Sequence, residues 1–268
     1  MIAAGMSIIF GLMNVLNMAH GTFFALGAYI AYSFIQLKLG FWLSLALSIL
    51  VVMAFSLLME RFLLVRLYGD HARQMLLTFG IMFMFTDLMK WIWGPHPLTM
   101  PTPQLFNYSM SMGIVSFPVY RIFVIAVGLI LAWVLWYMEN RTQIGAVIRA
   151  GVDDREMLGA LGIHVKAVFA GVFAFGAGIA ALGGGLAGPI LSLYSGMDGE
   201  VLMLSMVIVV IGGLGTWKGS FVCALLVGMI ETLGQIWFPS LSMALIFIVM
   251  LVILLIKPSG LFGKGVPA

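Results

Sequence analysis

Asn14, Asn17 and His20 stand three residues apart in the otherwise apolar segment GLMNVLNMAHG, Gly11–Gly21. Residues at this spacing share one face of a helix, so two amides and an imidazole would be presented together. Such groups can brace neighbouring helices through hydrogen bonds, line a polar route, or relay a proton or hold a metal through an imidazole that titrates near neutrality. No second histidine or carboxylate stands at ligand spacing to favour a metal. Two carboxylates, Asp87 and Glu231, fall within apolar runs. Asp87 precedes Lys90 by three positions and is expected to pair with it. Glu231 shows no partner within a turn and is expected to face another helix or a second subunit. Asp198 and Glu200 read as a solvated connection, with contact to another protein as the alternative. Gly184 and Gly188 form a G-x-x-x-G pair, the close-packing pattern of membrane helices. The run Gly183–Gly185 also permits a broken helix that opens backbone groups to a cavity, and Gly212, Gly213 and Gly215 pose the same choice.

The most polar stretch is Glu139–Lys166. It is longer than the ~2–8 residues that usually join neighbouring helices. Asp153 or Asp154 can cap a short helix whose apolar stripe is Met157, Leu158 and Leu161, and Gly162 can end it in a left-handed conformation. Arg149, Arg155 and Glu156 would lie on its charged side. A helix of about two turns can be a solvated linker, or it can dock into a groove on a cytoplasmic partner.

The elements that must position these residues are membrane helices. Of the 268 residues, 63% are hydrophobic and 9% charged, whereas soluble domains carry about 25% charged residues. A core of this length cannot absorb so much apolar surface, so the outer surface must face lipid. Nine apolar runs appear: Met1–Leu16, Gly21–Leu37, Phe41–Met59, Met75–Trp93, Arg121–Met138, Val168–Ile190, Val201–Gly215, Ser220–Phe238 and Leu241–Ile256. The first and seventh are short, and the seventh is expected to be either a span or a re-entrant segment. The fold class is therefore all-α, a polytopic bundle of about eight or nine membrane segments in a single domain, 1–268. Cys223 is expected to be a small buried apolar residue. No basic n-region of a cleavable signal peptide is seen at the N-terminus.

Basic residues concentrate in alternate connections. Arg61, Arg66 and Arg73 share one, Arg141, Arg149, Arg155 and Lys166 another, and Lys218, Lys257 and Lys264 fall in two more. Only Lys38, Lys90 and Arg121 stand near the opposite face. The positive-inside rule then puts the C-terminus in the cytoplasm and the Pro-rich connection Gly94–Pro118 outside.

Several segments carry a family resemblance. GLMNVLNMAHG with FALGAY (Phe24–Tyr29), RAGVDDREMLGALGI (Arg149–Ile163), IGGLGTWKGSFVCALLVG (Ile211–Gly228) and KPSGLFG (Lys257–Gly263) resemble, in order and spacing, the LivH-type permeases of branched-chain amino-acid ABC importers. Glu156 followed by Gly162 is similar to the Glu-Ala-Ala-x-x-x-Gly loop of ABC permeases, with Met157-Leu158 in place of the two alanines. The resemblance implies a non-enzymatic translocation subunit of the inner (plasma) membrane with a coupling loop at about 139–167. It implies a LivM-like second permease, two cytoplasmic ATPases that bind the ATP, and an extracytoplasmic binding protein, with no cofactor and no nucleic acid. It also implies a further segment ahead of Met1. The chain contains no Gly-x-x-x-x-Gly-Lys-Ser/Thr phosphate loop. Related permeases for urea, short amides or small carboxylates are the alternative. An ion-coupled transporter using Asp87, Glu231 or His20 lacks visible inverted repeats, and an intramembrane enzyme lacks a nucleophile–base constellation.

Overall fold

The computed structural model describes the chain except residues 14–16, 113–114, 154, 161 and 264–268, and except the side chains of 12, 111–112, 115, 144, 149, 152–153 and 155–157. Each of the nine apolar runs coincides with a helix: α1 Ile2–Met13, α2 His20–Gln36, α3 Phe41–Phe62, α4 His71–Trp93, α5 Val119–Arg141, α8 Val165–Ala187, α9 Met197–Gly212, α10 Trp217–Trp237 and α11 Ser242–Ile256. Two more, α6 Gln143–Asp153 and α7 Arg155–Ala160, occupy the polar stretch. Among the described residues, six of the helices are long and apolar enough to cross a membrane, the last counted from Pro239. The expected eight or nine segments thus resolve into six of spanning length, plus α1, α2 and α9 at 12, 17 and 16 residues.

The shortness of α2 and α9 has a geometric cause. Phe23, in the first turn of α2, meets Phe173 at 5.8 Å between ring centroids, about two turns into α8. Asp198, in the first turn of α9, receives a hydrogen bond from Thr86. Thr86 precedes the end of α4 at Trp93 by seven residues, roughly 10 Å of helix. Both helices therefore begin inside the bundle rather than at its rim.

The centre is α8, buried over 56% of its membrane window against 6% for α11 and 11% for α5. Its small residues allow this. A Cβ on Gly184 would lie 1.9 Å from the Phe24 carbonyl oxygen, and one on Gly27 would lie 2.4 Å from the Ala181 Cα. The backbones of α2 and α8 therefore touch, the route by which membrane helices gain dispersion contact without a solvent-driven force between them. α8 is helical without interruption through Gly183–Gly185, so those glycines pack helices and do not break one. Phe23, Phe24 and Tyr29 of α2, Val52 and Met59 of α3 and Phe169 and Phe173 of α8 share the main core. α5 and α11 turn apolar side chains such as Trp133, Ile130, Leu255 and Ile256 outward, as lipid-facing helices must.

The helix ends sort onto two faces. On one, Glu139 at the end of α5 lies 3.7 Å from Lys218 at the start of α10 and accepts a hydrogen bond from the Trp217 indole. On the same face the Leu261 N–H donates to the Ile211 carbonyl at 2.8 Å, folding the segment after α11 beneath the α9–α10 turn. At the opposite face the Trp93 indole donates to Ser33 at 2.7 Å, and the Tyr120 hydroxyl to the Leu186 carbonyl at 2.9 Å. A small antiparallel hairpin, β1 Ser109–Met112 paired with β2 Val115–Pro118, sits there. It lies in the Pro-rich connection expected to be irregular, and its Ser-Met-Ser-Met alternation has the period of a strand. A two-way bond between Leu98 and Leu193, 2.8 Å each way, ties the Pro-rich connection to the α8–α9 connection.

Candidate translocation and coupling elements

Asn17 and His20 are both buried, at 1% and 0% exposure. The Asn17 side-chain oxygen accepts the Ala19 N–H at 3.1 Å, shaping the entry to α2, while its amide nitrogen has no partner among the described residues. His20 places Nε2 3.1 Å from the Ile2 carbonyl. A carbonyl only accepts, so Nε2 carries the proton and Nδ1 keeps a free lone pair, which is also without a partner. Asn14 lies outside the described residues. Beside this junction the Met18 N–H donates to the Thr78 hydroxyl at 3.1 Å, bracing it on α4.

Gly21 marks the closest approach of α2 and α9, since a Cβ there would fall 2.1 Å from the Asp198 carbonyl oxygen. Asp198 itself is 1% exposed. The solvated connection expected for Asp198 and Glu200 is thus corrected for Asp198, because α9 starts below the rim and carries its first turn inside. Thr86 donates to its Oδ2, and its Oδ1 has no partner among the described residues. Leaving a buried acceptor unpaired costs on the order of 1–3 kcal/mol, more when it is charged. Thr86 was not singled out in the sequence, and its distance of 112 positions from Asp198 leaves no local signal.

Gly184 and Gly188 do not act as a pair on one neighbour. Gly184 meets Phe24 and Ala28 of α2, whereas Gly188, the C-cap of α8, lies under Met100 of the outer connection. Glu231 was expected to face another helix or a second subunit. It is partly exposed on α10, and Gln235 one turn on donates to it at 3.4 Å, a local partner where none was expected within a turn. Asp87 pairs with Lys90 at 2.9 Å as expected, but on an exposed face rather than in the core.

The polar stretch is more helical than its sequence suggested. Thr142 starts α6, its hydroxyl accepting the Gly145 N–H at 3.2 Å. This is an N-cap of the ordinary kind, visible in Thr-Gln-Ile-Gly but masked by the glycines and charges that follow. Gly145 lets α6 fold tightly onto α5, a Cβ there falling 2.2 Å from the Glu139 carbonyl oxygen. Arg149 belongs to α6, and Arg155, Glu156 and Met157 to α7, where only their backbone is described; Asp154 and Leu161 lie outside the described residues. Gly162 has φ +79°, and its N–H bonds the Gly159 carbonyl at 3.0 Å, ending α7 as expected. Leu158 is 2% exposed. It is buried within this chain, where α7 touches α8.

The combination so far is a lipid-facing helical bundle, two helices starting at depth, and a structured polar loop at one face. The family model for the permease component of branched-chain amino acid transport systems matches residues 1–254. The chain belongs to this family. The permease is 25% identical, over 98% of its length and 91% of the relative's, to the high-affinity branched-chain amino acid transport system permease protein BraD of Pseudomonas aeruginosa. It is 24% identical, with the same coverages, to the LivH proteins of Salmonella typhimurium and of Escherichia coli strain K12, which carry the same description. No solved structure matches it. The permease is thus a multi-pass membrane transport component and not an enzyme.

Proposed function

We propose that this permease is the translocation subunit of an ABC importer for branched-chain amino acids in the inner membrane. The observation that carries the reading is the sorting of charge and structure onto one face. Arg61, Arg66, Arg73, Arg141, Lys166, Lys218 and Lys257 stand at that face with α6 and α7, against Lys38, Lys90 and Arg121 at the other. This asymmetry supports a cytoplasmic C-terminus by the positive-inside rule. The coupling loop, 139–167, is then cytoplasmic and receives the ATPases, with Arg149, Asp154, Arg155, Glu156 and Met157 as its candidate contact residues. Leu158 has the opposite role and fastens the loop to the permease, while Gly162 fixes its end. The chain is one transmembrane domain in which α1, α2 and α9 supplement the six long helices, giving up to nine segments.

In this reading a LivM-like permease completes the pore, two cytoplasmic ATPases bind the ATP, and an extracytoplasmic binding protein delivers cargo to the hairpin face. The apolar interior suits aliphatic side chains. The test is co-purification. The tagged permease should retain ATPase subunits in mild detergent, and replacing residues 149–162 by a Gly-Ser linker of equal length should release them while the permease still inserts. Retention of the ATPases by the linker variant would contradict the assignment of the loop.

A further inference from the structure

Asp198 is a carboxylate in the bundle interior with one oxygen unused. Among the described residues no cation lies within ion-pair distance of it, since the ion pairs found there involve Asp70, Asp87 and Glu139. A first-turn aspartate complements a helix dipole, but that role leaves Oδ1 buried at 1% residue exposure without a hydrogen-bond partner among the described residues. Carboxylates at membrane depth are costly and are normally paired. The turn of α2 at Gly21 abuts the Asp198 backbone, and among the described residues its Thr22 hydroxyl oxygen and His20 Nδ1 are also buried without partners. α9 thus begins at depth with a carboxylate oxygen that, among the described residues, has neither a hydrogen-bond nor an ion-pair partner.

We infer that Asp198 receives the ammonium group of the cargo during its passage, with Thr86 holding the carboxylate by Oδ2 and leaving Oδ1 to accept. An ammonium offers three N–H donors and no acceptor, so it is the complement of such a site. The contact at Gly21 is with the Asp198 backbone carbonyl and the Leu202 Cβ of α9. It can part when α2 and α9 separate in the transport cycle and close again behind the cargo. This inference rests on the amino-acid transport reading and adds the group that recognises the cargo's amine.

The experiment uses the full importer with its ATPases and binding protein in proteoliposomes. Wild-type leucine uptake tests the transport reading, and the ratio of variant to wild type tests the inference. Asp198→Asn keeps the size and the Thr86 bond but not the charge. It should lower the maximal uptake rate at least tenfold, leave the KM set by the binding protein, and leave binding-protein-stimulated ATP hydrolysis and the melting temperature near wild type. Asp198→Glu should restore part of the rate, and Thr86→Val, which keeps the charge, should lose less than Asp198→Asn. Wild-type uptake by Asp198→Asn would overturn the inference while leaving the transport reading intact. So would loss of uptake in parallel with melting temperature and assembly in both Asp198 variants, the mark of a structural position. A sodium or proton dependence of wild-type uptake that vanishes in Asp198→Asn would assign the carboxylate to an ion and overturn it as well.

Discussion

Two glycines of one helix show how differently the same residue type can be used. A Cβ at Gly184 meets the α2 backbone at 1.9 Å, whereas at Gly171 nothing lies within 4 Å. Gly184→Ala should therefore destabilise the permease by about 1–3 kcal/mol through overpacking, because a backbone carbonyl cannot move aside as a side chain does. Gly171→Ala should be neutral or stabilising by roughly 0.5–1 kcal/mol, since alanine is the better helix former. Thermal unfolding of the two variants in detergent, side by side, checks the contrast. Close packing at Gly184 was legible from the glycine pattern, as was the left-handed end at Gly162. The burial of Asp198 was not, because Ser195-Gly196-Met197-Asp198-Gly199-Glu200 has the composition of an exposed connection. What buries it is the starting depth of α9 and a hydroxyl on α4, both tertiary facts.

At the scale of elements, the α6–α7 loop depends on three local devices: the Thr142 cap, the left-handed Gly162 and the buried Leu158. Thr142→Val should cost about 0.5–2 kcal/mol by removing the cap. Leu158→Ala should cost about 2–5 kcal/mol by emptying a buried site. Because the loop is short, both effects should appear locally first. Limited trypsin digestion should cut after Arg149 and Arg155 faster in each variant than in wild type, with α3 and α8 still protected. Equal cutting rates would mean that neither residue holds the loop. The nine apolar helices were legible because lipid demands continuous apolar runs and internally paired backbone. α6 was not, since Gly145, Arg149 and Gly151 interrupt its apolar pattern and its order comes from packing on α5 and α1. The β1–β2 hairpin was missed for a similar reason, as two strands of four residues give too little alternation to stand out from a polar connection.

For the whole molecule, the separation of basic residues between the two faces predicts an orientation. In a Cys223→Ala background, Arg149→Cys should react with an impermeant thiol reagent only from the cytoplasmic side, and Thr102→Cys only from outside. Reversed labelling would place the coupling loop where no ATPase can reach it. In the proposed function, orientation and assembly both serve one end, movement of an amino acid across the membrane at the expense of ATP hydrolysed by other subunits. The measurement that tests this most directly is uptake of radiolabelled leucine by proteoliposomes containing the permease, its partner permease, the ATPases and the binding protein. Accumulation against a gradient should require ATP on the cytoplasmic side and should be lost when this chain is omitted or its 149–162 loop replaced. Leucine accumulation driven by an ion gradient with no ATP, or ATP-driven transport of urea or amides with none of leucine, would contradict it.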